Sequence, residues 1–172
     1  RQDAQTHHSQ DYHPDRNMNK TTTMYLLNGM LFAVGCGGQI SVERSIAKVG
    51  GTVTYDASEI AIDTISFDDI SITSETVSKT KNVEMLRQLI FNNCTSGSSG
   101  DMSQLIRNLQ PHSISIQGRT PNNTIEWIKA GRRVSAVQFD NVAVMSRDLD
   151  CLGKLSSLSS LACSSCDFPD GY

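Results

Sequence analysis

The sequence predicts an α/β fold of stacked, closely similar units, with parallel strands joined by short helices. Two observations carry this. A pair of apolar residues separated by one position recurs as Ile65/Phe67, Leu89/Phe91, Ile114/Ile116, Val137/Phe139 and Leu161/Cys163, with steps of 24, 25, 23 and 24 residues between first members. Between the pairs, polar turns and stretches of helical period alternate with strand-like segments. Near-constant spacing of this kind marks a solenoid, in which each unit buries its apolar edge against its neighbours.

Residues 1–20 are polar, contain one proline and have little to bury, so a flexible tail is expected there. His7, His8 and His13 lie in it without a scaffold to fix metal geometry. Residues 21–36 change character: Lys20 precedes an apolar run from Tyr25, and Ala33-Val34-Gly35 leads to Cys36. This reads either as a secretory signal peptide, with a lipobox-like end, or as the apolar N-terminal cap of the solenoid. The residues before Met18 stand against a leader at the start of a chain. Export places the protein outside the cell or at its surface; the capping reading leaves it cytoplasmic.

Residues 37–172 form the repeat domain. Ile40 lies 25 residues before Ile65 and marks a degenerate first unit. Glu43 to Val49 suits a short helix stopped by Gly50-Gly51. Ile62, Ile65, Phe67, Ile70 and Ile72 fill the first clear unit, with a turn at Asp68-Asp69. Asn82 to Ile90 has helical spacing and runs into Leu86, Leu89, Phe91 and Cys94. Asp101 is placed to cap a helix from Met102 to Leu109, which Pro111 stops before Ser113–Ile116. In that unit Pro111 and Arg119 occupy apolar slots, making it the weakest. Asn123-Thr124 precedes a short helix from Ile125 to Ala130, whose Trp127 is expected in the core. Val134, Val137, Phe139, Val142 and Val144 fill another unit; Asp148 to Leu155 links it to Leu158, Leu161, Cys163, Cys166 and Phe168.

These frames, read as L-x-x-L-x-L-x-x-N/C-x-L from Ile62, Leu86, Val134 and Leu158, resemble the leucine-rich-repeat family over roughly residues 40–168. Isoleucine or valine at the asparagine slot (Ile70, Val142) departs from the family pattern, as does Arg119. A parallel β-helix is the alternative architecture; the intervening amphipathic segments favour the leucine-rich-repeat form. The resemblance implies recognition of a protein ligand across a concave sheet. Its outward positions would be Thr64, Gln88, Ser113, Ala136 and Ser160 in one column, Ser66, Ile90, Ser115, Gln138 and Ala162 in the next, and Asp68, Asn92, Gln117, Asp140 and Ser164 in the third. Partner contacts are assigned to Thr64, Ser66, Asp68, Gln88, Asn92, Ser115, Gln117, Gln138 and Asp140.

The global figures narrow the function classes. A net charge of −3 gives no electrostatic reason to expect nucleic acid. No apolar run reaches the roughly 20 residues that span a bilayer. Five cysteines in an irregular pattern do not form a disulfide framework, and Cys94, Cys163 and Cys166 fall on inward slots as small apolar residues. Cys163-x-x-Cys166 lacks the second pair of a zinc site. Outside the tail His112 is the one histidine, and no nucleophile-elbow, phosphate-loop or H-E-x-x-H motif is present. No catalytic residue, metal or cofactor is therefore assigned. A β-helix enzyme acting on glycans through Asp68, Asp69 and Asp140 is the enzymatic alternative. Asn93-Cys-Thr95 and Asn122-Asn-Thr124 become glycan acceptors on export. The last unit has nothing after it to return as a helix, so the domain reads as incomplete at its C-terminus. Leu155, Leu158, Leu161 and Cys163 would form an open end available for self-association or assembly.

Overall fold

The computed structural model describes residues 41–58, 61–83, 86–121 and 124–169. The expectations for the tail, for residues 21–36, for Cys36 and Ile40, and for Asn122 lie outside these.

The chain is α/β, with a mostly parallel six-stranded sheet. Its main strands are β1 (Gly51–Tyr55), β2 (Ile62–Asp68), β4 (Gln88–Asn92), β6 (Ser113–Gln117), β7 (Ala136–Asp140) and β8 (Ser160–Ser164), lying side by side in that order. Two short strands, β3 (Ser71–Ile72) and β5 (Thr95–Ser96), pair in parallel beside it. Residues 41–47 are helical (α1), and α2 (Ser74–Lys79), α3 (Ser99–Leu109), a 3-10 helix (Glu126–Ala130) and α4 (Ser146–Leu152) connect the later strands.

The five parallel strands pair in the register that the apolar frame sets. Ile65, Leu89, Ile114, Val137 and Leu161 are mutual partners in one row, and Phe67, Phe91, Ile116, Phe139 and Cys163 in another. In the first four strands these residues are at most 1% exposed. The core they form continues into Met102, Leu105, Ile106 and Leu109 of α3 and into Trp127 and Ile128. Phe91 lies at its centre: its ring centroid is 6.2 Å from that of Phe67 and 5.5 Å from that of Trp127, in edge-to-face geometry with the latter. The Trp127 indole N–H, which burial would otherwise leave unbonded, donates to the Thr124 carbonyl at 2.6 Å.

Each strand ends in a residue of left-handed backbone: Asp69 (φ 54°), Asn93 (50°), Gly118 (75°), Asn141 (54°) and Ser165 (51°). The first four of these donate their backbone N–H to the last strand residue of the next coil, at 2.8–3.0 Å to Asn92, Gln117, Asp140 and Ser164. Asp, Asn and Gly bear this conformation at lower cost than other residues.

Four expectations for the connecting segments are corrected. The helix lies at Ser74–Lys79, while Gln88–Ile90 of the segment expected to be helical are strand; Thr73 caps the helix, its hydroxyl accepting from the Thr76 N–H while the Thr76 hydroxyl accepts in return from the Thr73 N–H. Ser98, not Asp101, caps α3, which therefore starts earlier, at Ser99. The segment before Gly131 is a 3-10 helix that Ile125 precedes without a side-chain cap, although the Thr124 hydroxyl accepts from the Glu126 N–H. The last link is helical over Ser146–Leu152, where the Asp148 carboxylate accepts from the Met145 N–H at 3.1 Å.

The N-terminal edge also differs from the expected degenerate repeat. Val42 is helical, and β1 runs antiparallel to β2 in its place. Gly50 stops α1 as expected, with φ 79° and its N–H on the Ala47 carbonyl. Gly51 has no room for a side chain, because a Cβ there would press on Ile46 and Phe67. Pro111, expected to weaken its unit, is buried in its apolar slot, while Arg119 turns outward and its Nε donates to the Asn93 carbonyl at 3.2 Å.

Phe67→Ala, Phe91→Ala and Phe139→Ala should each cost about 3–5 kcal/mol in chemical denaturation, with Phe91 at the upper end. Leu161→Ala, in the same frame but 45% exposed, should cost well under about 2 kcal/mol. A second expectation concerns the turn. Gly118→Ala places a Cβ against the Asn93 side chain at positive φ, and should lower stability by about 1–2 kcal/mol, read from the same denaturation curves.

Candidate functional site

The three columns expected on the outward face exist as strand register. Thr64, Gln88, Ser113, Ala136 and Ser160 are cross-strand partners, as are Ser66, Ile90, Ser115, Gln138 and Ala162, and Asp68, Asn92, Gln117, Asp140 and Ser164. Alternation along a strand puts these side chains opposite the core rows. Thr64, Ser66, Gln88, Asn92, Gln117 and Asp140 are half-buried, and Asp68 and Gln138 are exposed. Ser115 is the exception at 2% exposure: a short side chain between Ile90 and Gln138 presents almost no surface. Ile90 is the one large apolar residue of the three columns and sits on the middle of β4. Ser66 donates its hydroxyl to the Asp68 carboxylate at 3.0 Å, which holds that carboxylate along its strand.

One step toward the strand starts lies a further row, Asp63, Arg87, His112 and Ser135, which the sequence frame did not single out. It is joined by backbone hydrogen bonds from Arg87 to Asp63, from Ser113 to Arg87 and from Ser135 to His112. The Arg87 guanidinium donates through Nε and one NH2 group to the two oxygens of Asp63, a fork-to-carboxylate pair. These hydrogen bonds hold the Asp63 carboxyl below the usual carboxylate range. The Arg133 guanidinium reaches His112 Nε2 at 2.8 Å. Arginine can only donate, so Nε2 is the acceptor of this contact. The arginine and the carboxylate are 24 residues apart, the repeat length, and this spacing was the available signal.

Of the assigned glycan acceptors, Asn93 is exposed, in the left-handed turn after β4; Asn122 lies outside the described residues. The cysteines divide. Cys94 is fully buried as expected and its thiol donates to the Phe67 carbonyl at 3.0 Å. Cys163, expected inward and buried, is exposed, and Cys166 is half-buried, because no further coil covers β8 among the described residues. Burial pushes the Cys94 and Cys151 thiols up; burial and then the neighbouring Cys166 push Cys163 up as well. All three shifts disfavour the thiolate, the nucleophilic form. Leu155 and Leu158 are half-buried at the same end, and Phe168 is 36% exposed. Among the described residues no helix is long and apolar enough to cross a membrane.

No protein-family model matches the chain, and no curated protein matches it.

The Asp63–Arg87 pair sets a pH expectation. A lowered folded-state value means that the pair contributes to stability above the unfolded aspartate value of about 4 and that this is lost as pH falls through the folded value. Carbon-detected NMR titration should show the Asp63 carboxyl rising toward the ordinary carboxylate range in Arg87→Gln. The accompanying loss of stability should be small, because the guanidinium is 64% exposed.

Proposed function

We propose that this chain is a non-catalytic protein-binding module of leucine-rich-repeat type, secreted or at the cell surface, that takes its partner on the open face of the five parallel strands. The observation that supports it most is the in-register stacking of three outward columns on five strands, the first four of which commit their other face to the core. A repeat scaffold of this kind supplies a flat, pre-ordered surface whose residues change independently of the fold. The β-helix alternative is less well supported, since the return segments are helices and the second sheet has two residues per strand. The face contains hydroxyls, amides and two carboxylates around Ile90, so contact is spread over area and not concentrated in aromatic anchors.

Gln88→Arg and Gln138→Arg lengthen side chains on this face, and Gln104→Arg, exposed on α3, serves as the control. Recovery of a partner cross-linked in the producing cells should fall with the first two substitutions and persist with the third, at unchanged unfolding temperature. Equal loss with Gln104→Arg, or no loss with either face variant, defeats the reading.

A second reading, assembly through the last strand, rests on β8. All five of its residues are exposed, and Leu161, the partner of buried Val137, is 45% exposed. Sedimentation over a range of concentrations should show self-association of this chain, and Leu161→Asp should abolish it. A wild-type chain that stays monomeric at high concentration removes the second reading.

A further inference from the structure

Away from the strand face, a depression of about 430 Å³ opens where the segment after the 3-10 helix meets the segment after α4. Its lining brings together Lys129, Arg132 and Lys154, with Ser156 and Ser157 beside them, and includes no carboxylate. The cations belong to two successive coils, 25 residues apart at Lys129 and Lys154. Strand stacking brings these corners together: the Ser157 hydroxyl donates to the Val134 carbonyl at 2.7 Å, and the Ser159 N–H to Ser135 at 2.9 Å.

The positive charge there is only partly neutralised. Lys129 Nζ is 3.5 Å from Glu126, at a pair exposed on both sides. Arg132 and Lys154 have no carboxylate at ion-pair distance among the described residues. The turn closed by the Leu158 N–H on the Leu155 carbonyl leaves the amides of Ser156 and Ser157 without a backbone acceptor among the described residues. Successive amides with no backbone acceptor, beside cations, suit an anion. Helix-end compensation accounts for Lys129 alone, in the last turn of the 3-10 helix; Arg132 and Lys154 lie past the last turns of the two helices. In a chain of net charge −3 this convergence is a local exception, and like charges held together repel unless a counter-charge binds.

We propose that this depression binds a tetrahedral oxyanion, the phosphate or sulfate group of a small, sugar-sized ester. Arginine offers paired donors to two oxygens, and the lysines supply point charges. The volume falls within the range of small-molecule sites, roughly 300–1,000 Å³, and exceeds what a bare ion fills.

The full chain is titrated with glucose 6-phosphate, glucose 6-sulfate and glucose at constant ionic strength, followed by amide NMR shifts. Saturable shifts at Arg132, Lys154, Ser156 and Ser157 are expected with one or both esters and not with glucose; a preference between the esters identifies the group. Arg132→Gln with Lys154→Gln should weaken binding by about tenfold or more, the loss of two charge-assisted contacts, at an unchanged unfolding temperature in chloride. Lys154→Gln alone, at an exposed side chain, gives the same direction if the double variant does not fold. The proposal fails if chloride reproduces the shifts, if glucose binds as well as its esters, or if the variants keep wild-type affinity.

Discussion

The structure depends on one backbone device, the left-handed residue that ends each strand. Asp69, Asn93, Gly118, Asn141 and Ser165 recur at the spacing of the apolar pairs, and the first four donate an N–H across to the next coil. The bond does two things at once. It satisfies a backbone donor at a sharp turn, and it fixes each strand end against the next one. Strand and turn together therefore set the register without help from the return segment. That is why the return can vary, from 6 residues in α2 to 11 in α3, then to a 5-residue 3-10 helix, while strand pairing stays unbroken.

The two ends of the sheet show what stacking alone leaves unsolved. At the first edge, β1 turns antiparallel onto β2, and Ile46 of α1, fully buried, covers Phe67 beside Gly51. An apolar row is thus closed by an element that does not belong to the repeat. At β8 the same row continues into Leu161 and Cys163 with no such cover among the described residues. A core residue in every inner coil becomes a surface residue in the last by position, with no change in its slot. Exposed strand edges of this kind invite pairing.

The strands were legible because two signals coincided, alternation within a segment and recurrence between segments. Each of the five apolar pairs, Ile65/Phe67 through Leu161/Cys163, sits in the register that the spacing implied. The helices had no such redundancy. In α2 the buried residues are Thr76 and Val77, and six residues are too few for an amphipathic period to emerge; its signal was the cap at Thr73 and Thr76. Val83, Leu86 and Leu89 mimic a helical face, yet Leu89 is a strand residue and the other two precede that strand. The outward columns followed from register, but Ser115 shows what register leaves open: facing outward does not make a short side chain accessible. The Asp63–Arg87 row was missed because the apolar frame draws the eye to strand interiors, and a polar pair at the repeat distance falls one position outside them.

Charge is not spread evenly along the strands, and this bears on how the proposed partner would lie. Before the strands stand Arg87 and Arg133, the first paired with Asp63 and the second hydrogen-bonded to His112 Nε2. At the strand ends stand Asp68 and Asp140, with Asn92 and Gln117 between them. Arg133 therefore contributes positive charge before β7, and Asp140, seven positions later, contributes negative charge at the end of that strand, along a backbone that rises roughly 3.3 Å per residue. Seven positions at that rise make a separation on the order of 20 Å, above the Debye length of about 8 Å at physiological salt, so the two charges would act on a partner independently. Charges at a margin influence encounter and orientation more than final affinity. Affinity would have to come from the middle, where Ile90 is the one sizeable apolar group among hydroxyls and amides. A partner oriented by an acidic group near Arg133 and a basic one near the aspartates, with an apolar side chain over Ile90, would use all three features of the face.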